Sequence, residues 1–178
     1  MTRSTKARLV GPVPWLSLAA ALVLWSGATL AQGADKGDQL LDEASSMLSN
    51  DMVKLAQTKY RSFLTQYPNH ARIAEAQYGI AVCLYRKDDY AGAAAQLRKM
   101  LAVSKFRGRD QVLELLSQCY LAAGDYKNAR TNLKKLLSDN PSGRHVESAR
   151  ISLAQALYML DEKAKALDVF EKFVKSYP

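Results

Sequence analysis

The sequence predicts an all-α solenoid of about four helix pairs, and three observations carry that expectation. The first is recurrence. Measured from Gly124, the stretch GDYKNARTNLKKLLSDNP places a small residue at Ala129, large apolar residues at Leu133, Leu136 and Leu137, and then Pro141. The same offsets from Asp51 give Ala56, Tyr60, Phe63, Leu64 and Pro68. From Asp88 they give Ala93, Leu97, Met100 and Leu101, with Lys105 in the proline's place. From Asp161 they give Ala166, Phe170, Phe173, Val174 and Pro178. A period of 36 to 37 residues is the signature of stacked supersecondary units. The second observation is helical spacing inside each period, as in Ile73, Ala74, Ile80, Ala81 and Leu84. The third is that the connections within a pair are short. Short connections make the two helices antiparallel neighbours, and burying one stripe per helix then requires the next pair to stack on it.

The elements follow in chain order. Residues 1–31 read as a secretory leader: Arg3, Lys6 and Arg8, an apolar run over 13–25, and small residues ending at Ala31, after which cleavage is expected. The alternative is an uncleaved membrane anchor, because residues 13–30 are largely apolar and near the lower length limit for a span. Pro14, Ser17, Ser26 and Gly27 count against it. No cysteine stands directly after the apolar run, the first being Cys83, so lipid attachment at a mature amino-terminal cysteine is not expected. Residues 32–36 form a short lead-in, and the array occupies 37–178 with repeats at about 37–70, 71–107, 108–144 and 145–178.

Helices are predicted over 37–49 and 52–66, 71–86 and 90–103, 109–123 and 126–139, and 145–160 and 163–176. Tyr67 and Pro68 stop the second of them, since proline lacks the donor that a helix interior needs and disfavours helix in the residue before it. Asn69 is expected to cap the next start. Gly124 suits the left-handed conformation that ends a helix. The loop around Lys105, where the proline is missing, is the one break in the rhythm.

On these residues the chain resembles the tetratricopeptide repeat family. The matching positions are the small residues Ala44, Ala81, Ser117 and Ala154 in the first helices, the turns Asp88-Asp89-Tyr90 and Gly124-Asp125-Tyr126, and Ala56, Ala93, Ala129 and Ala166 beyond the turns. Small residues sit where two helix backbones approach closely. Gln77 and Leu113 depart from the family's aromatic near the start of the first helix, and the period exceeds the family's usual one. The longer period, the Tyr-Pro endings and the leader resemble envelope members of the family, of the outer-membrane assembly and Tol-Pal associated type. The resemblance implies a right-handed superhelix.

At 178 residues, 48% hydrophobic and 24% charged, the composition fits one soluble domain with material for a core. The formal charge of +8 falls to +5 without the leader, which carries three bases and no acid. Such an excess, with no basic and aromatic interleaving, points to solvated surface rather than nucleic-acid binding. No phosphate-cradling glycine loop, nucleophile elbow or C-x-x-C is present. His70 and His145 fall in loops two periods apart, too far for one coordination sphere. Asp88 and Asp89 read as turn chemistry. The chain is therefore expected not to be an enzyme and to need no cofactor or metal. Cys83 and Cys119 occupy equivalent places in successive repeats. Stacked helices sit about 8–10 Å apart, beyond disulfide reach of about 7 Å between Cα atoms, so two buried thiols are expected.

What remains is binding. The resemblance implies that first helices line a concave face, where Tyr78, Val82, Tyr85, Arg86, Glu114, Gln118, Leu121, Ile151, Gln155, Tyr158 and Met159 would present a surface for a protein or peptide. A competing reading packs several of them between repeats. A possible basic patch comprises Arg98, Lys99, Lys105, Arg107 and Arg109 around Phe106, with Arg144, His145 and Arg150 one repeat on, which would suit an anionic membrane surface or an acidic partner. The bland alternative is a solvated loop. Phe170, Phe173, Val174 and Tyr177 lack a following repeat, so a partner, self-association or further repeats of a larger protein would cover them. The expected function is an exported, periplasmic scaffold for another protein. The alternative is the recognition arm of a larger multidomain protein, an enzyme or secretion component.

Overall fold

The computed structural model describes residues 36–102 and 108–176; residues 1–35, which hold the expected leader and most of the expected lead-in, residues 103–107 and the last two residues lie outside them. The described residues form only helices and turns. Helix α1 covers 36–49, followed by α2 (Val53–Gln66), α3 (Ile73–Tyr85), α4 (Tyr90–Ala102), α5 (Arg109–Ala122), α6 (Tyr126–Asp139), α7 (Val146–Met159) and α8 (Lys163–Ser176). Each helix from α2 onward packs on its neighbour in sequence, and α3 also touches α5, as α5 touches α7. Four antiparallel pairs therefore stack in chain order.

The turn inside each pair does two jobs with two residues. Asp51, Asp88, Gly124 and Asp161 all take positive φ, between 60° and 75°. The next residue's N–H then returns to a carbonyl five back: Met52 to Met47, Asp89 to Leu84, Asp125 to Tyr120 and Glu162 to Leu157, at 2.8–3.0 Å. This satisfies the carbonyls left open at the end of the first helix. In two pairs the same residue caps the second helix, Asp89 accepting from the Gly92 N–H at 2.9 Å and Asp125 from the Asn128 N–H at 3.2 Å. Aspartate tolerates the left-handed region better than most residues, though glycine holds it without the Cβ cost. Gly124→Ala is therefore expected to cost about 1 kcal/mol, read as a shift in the urea midpoint at unchanged slope.

Between pairs the prediction needs one correction. Asn69 does not cap α3: the residue before that helix is Arg72, without a side-chain cap bond. Instead the Arg72 N–H donates to His70 Nδ1 at 3.2 Å. The His70 ring stands edge-on to Phe63 with centroids 5.1 Å apart.

All eight predicted small residues are buried, from Ala44 to Ala166. Where serine replaces alanine, Ser117 Oγ donates to the Leu113 carbonyl one turn back at 2.7 Å, so the hydroxyl is satisfied without a tertiary partner. The core divides into three clusters. Leu41, Ala44, Phe63 and Cys83 belong to the first, Leu97, Met100, Leu116 and Cys119 to the second, and Leu133, Leu136, Leu153 and Leu157 to the third. Each cluster draws on one pair together with the first helix of the next, and the third also takes in Ala166 of α8. Cys83 and Cys119 are free and buried, and burial pushes the Cys119 thiol up to about 11.

Candidate functional site

The repeat register arranges the outer positions of α3, α5 and α7 in three rows. Tyr78, Glu114 and Ile151 form one, Val82, Gln118 and Gln155 the second, and Tyr85, Leu121 and Tyr158 the third. Because α3 touches α5 and α5 touches α7, each row is continuous across three pairs. The rows run from half-buried to open. Tyr78, Val82 and Tyr85 are half-buried, whereas Ile151 is 43% and Tyr158 59% exposed, with Gln155 and Met159 also open.

Several of the residues expected to face a ligand have partners within the array. Burial raises the Tyr78 phenol's pKa, and the Gln111 side chain hydrogen-bonds it. Tyr85 stands edge-on to Tyr90 with centroids 5.4 Å apart. Arg86 Nη1 donates to the Leu48 carbonyl at 2.6 Å and lies 3.4 Å from Asp51, fastening the second pair to the first. Glu114 pairs with His145 and accepts from Ser148 Oγ at 2.6 Å, and Arg144 Nε donates to the other nitrogen of His145 at 2.9 Å. The open part of the surface is thus the fourth pair, where Ile151, Gln155, Tyr158 and Met159 are exposed together.

The basic patch is divided. Arg98 and Lys99 are exposed on α4, whereas Lys105 and Arg107 lie outside the described residues. Arg109 has partners within the array: Nη1 donates to the Leu101 carbonyl at 3.1 Å and Nε lies 3.9 Å from Asp139. Among the described residues no group of three or more His, Cys, Asp or Glu is arranged to hold a metal ion. No described helix is long and apolar enough to cross a membrane.

Sequence reasoning missed the polar joint between the first two pairs. Arg72 reaches Asp38 at 3.0 Å, Asp42 at 3.0 Å and Glu75 at 2.8 Å, and the Glu75 bond is the main cause of its raised pKa. Solvent-exposed pairs contribute about 0–1 kcal/mol each, so this joint fixes register more than it adds stability. Only the Glu75 spacing of three residues was visible in the sequence. The reach to α1 needed the stack.

Two family profiles match the chain. One described as tetratricopeptide repeat covers residues 41–106, and one described as outer membrane lipoprotein (YfiO) covers 114–178. No curated protein matches the sequence. Among solved structures the chain is similar to MamA from Desulfovibrio magneticus RS-1, at 17% identity and a TM-score of 0.67, over 78% of this chain and 74% of that one. A tetratricopeptide repeat protein from Parabacteroides merdae ATCC 43184 gives 14% identity and 0.69, over 80% of this chain and 54% of that one. The apo form of RapI gives 16% and 0.71, over 79% of this chain and 42% of that one. At these identities the likeness is one of fold.

Proposed function

Because this chain is a tetratricopeptide-repeat protein, we propose that it is an exported, non-catalytic scaffold of the cell envelope that holds another protein or peptide along the rows of its first helices. Arrays of this fold are protein-interaction scaffolds. The observation that carries the reading is the third row, in which Tyr85, Leu121 and Tyr158 set aromatic and aliphatic groups beside the amides of Gln118 and Gln155. Rigid aromatics with adjacent hydrogen-bonding groups suit an extended chain or a helix laid in a groove. The basic amino-terminal leader pattern and the outer membrane lipoprotein match over 114–178 support an envelope location, the periplasm, with Arg98 and Lys99 available to an anionic membrane surface.

Co-purification from envelope extract, comparing the unaltered chain with one carrying Tyr78→Ala, Tyr85→Ala and Tyr158→Ala, tests this. Truncating interface aromatics costs about 1–2 kcal/mol or more each, so the partner retained by the unaltered chain should fall at least tenfold. Unchanged recovery would overturn the reading. Tyr158→Ala should carry most of the effect, because Tyr78 and Tyr85 are half-buried.

A further inference from the structure

We propose that the outer side of the second helices is a membrane-facing surface. The cationic faces of α2, α4 and α6 seat the array on a bilayer of anionic lipid and leave the first-helix rows open. This rests on the proposed envelope location, which supplies the bilayer.

Helical periodicity defines the face. Counted from the turn residue of each pair, the fifth, ninth and twelfth positions of these helices are buried, as at Ala56, Tyr60 and Phe63 on α2 and Ala129, Leu133 and Leu136 on α6. At about 100° per residue, the third, seventh, tenth, eleventh and fourteenth positions turn the other way. The tenth gives a row with one cation per pair: Arg61, Arg98 and Lys134. Lys99 and Lys135 stand at the eleventh, and Lys54 and Lys127 at the third. All are exposed, the remaining outer positions of the three helices hold threonine, serine or alanine, and no carboxylate is among them.

These bases also differ from the others in having no counter-charge. Lys59 reaches Glu43 at 2.7 Å, Arg130 pairs with Glu162, and Lys163 and Lys172 pair with Asp161 and Asp168. On the outer face Lys135 reaches Asp139 at 3.4 Å. The side chains of Lys54, Arg61, Arg98, Lys99, Lys127 and Lys134 have no ion pair or hydrogen bond among the described residues. The acids lie in the other layer, with Asp38, Asp42 and Glu43 on α1 and Glu75 on α3, which has no base. A solvated surface ordinarily intersperses both signs. Like charges gathered on one face repel one another, and a facing anionic surface relieves that repulsion. The stack keeps the two layers apart: first helices touch one another, whereas among the described residues no second helix touches another second helix.

The chemistry of the face decides the class of partner. Protein interfaces are anchored by aromatic or large apolar groups in pockets, and single-stranded nucleic acid by stacked aromatics. The five outer positions offer neither. A bilayer is a fluid array of charges that demands no fixed pairing geometry, and long basic side chains reach it on apolar stems. At one margin Met52 and Leu55 are 49% and 56% exposed beside Lys54, apolar groups that a headgroup region accepts.

The test is vesicle flotation of the chain from Gln32 onward, which keeps the compact unit of residues 37–178 whole. It should float with vesicles of phosphatidylglycerol and phosphatidylcholine at low salt and stay behind with phosphatidylcholine alone. About 0.5 M NaCl should release it, because exposed charges are then screened within about 4–5 Å. Arg61→Gln, Arg98→Gln and Lys134→Gln together should weaken binding about tenfold or more, since each base near an anionic surface contributes roughly fivefold. Lys36→Gln, Lys87→Gln and Arg150→Gln remove the same charge away from this face and should change binding by no more than about twofold. Circular dichroism checks that each variant keeps its helices. The chain carrying Tyr78→Ala, Tyr85→Ala and Tyr158→Ala should float like the unaltered one, so failure of this surface and failure of the first-helix reading are told apart. The proposal is overturned if the unaltered chain does not float, if the row variant floats equally, or if both glutamine variants lose binding alike. It is also overturned if the tyrosine variant loses flotation, or if the chain binds polyglutamate in solution but not vesicles, which would make the face a protein surface.

Discussion

Replacing Phe63 with alanine is expected to destabilise the array by about 3–5 kcal/mol, the range for deleting a buried aromatic side chain. Phe63 is fully buried at the junction of the first two pairs, tilted against Tyr67 at 5.7 Å and edge-on to His70 at 5.1 Å. Against a total stability of about 5–15 kcal/mol for a typical domain, such a loss is enough to open that junction. Urea unfolding followed by circular dichroism measures it. Phe173 holds the same register position on α8 but is only half-buried. Phe173→Ala should cost roughly half as much or less, in proportion to the apolar area already outside the core. Equal losses at the two sites would mean that α8 is as well covered as α2.

Gly79→Leu is the second large effect, and here two terms of opposite sign compete. In an exposed helix interior the change would stabilise by nearly 1 kcal/mol, because leucine is the better helix former. At Gly79 even a Cβ meets the Tyr60 ring at 2.4 Å, with two further ring carbons within 2.7 Å. Overpacking a core of this density costs about 1–3 kcal/mol or more, so the net result should be a clear loss of stability. Adding Tyr60→Leu should recover much of it, because Leu97 and Leu115 show the same crossing built from two leucines in the next junction. A double-mutant cycle gives the coupling directly. Additive effects of the two substitutions would overturn the assignment of ring-to-backbone contact at this crossing.

The helix pairs were legible because the features that specify them are local. A turn residue, a small residue five positions later and a proline seventeen positions later are all read along one strand of text, and each predicted helix lies within a few residues of the observed one. The aspartates at 51, 88 and 161 marked the period in the sequence, yet their left-handed geometry was apparent only beside Gly124, since aspartate also suits helix caps and ordinary turns. The candidate surface was legible only in part. Tyr158 and Ile151 are open, whereas Glu114 and Arg86 are engaged by His145, Ser148 and Leu48, residues more than thirty positions away. Periodicity reports which face a residue occupies. It does not report whether the neighbouring pair has already claimed its polar atoms.

The contacts of this array join each helix to its neighbour in sequence and, for the first helices, to the next first helix. Such short-range connectivity keeps the entropy of loop closure small, so folding can begin at any junction and spread in both directions at the fast end of the scale. It also makes the molecule's opening divisible. Each junction between pairs is closed by a core cluster of its own. Thermal fluctuation can therefore loosen one junction while the others keep their protection, so amide exchange should separate into units that follow the clusters rather than report one global event.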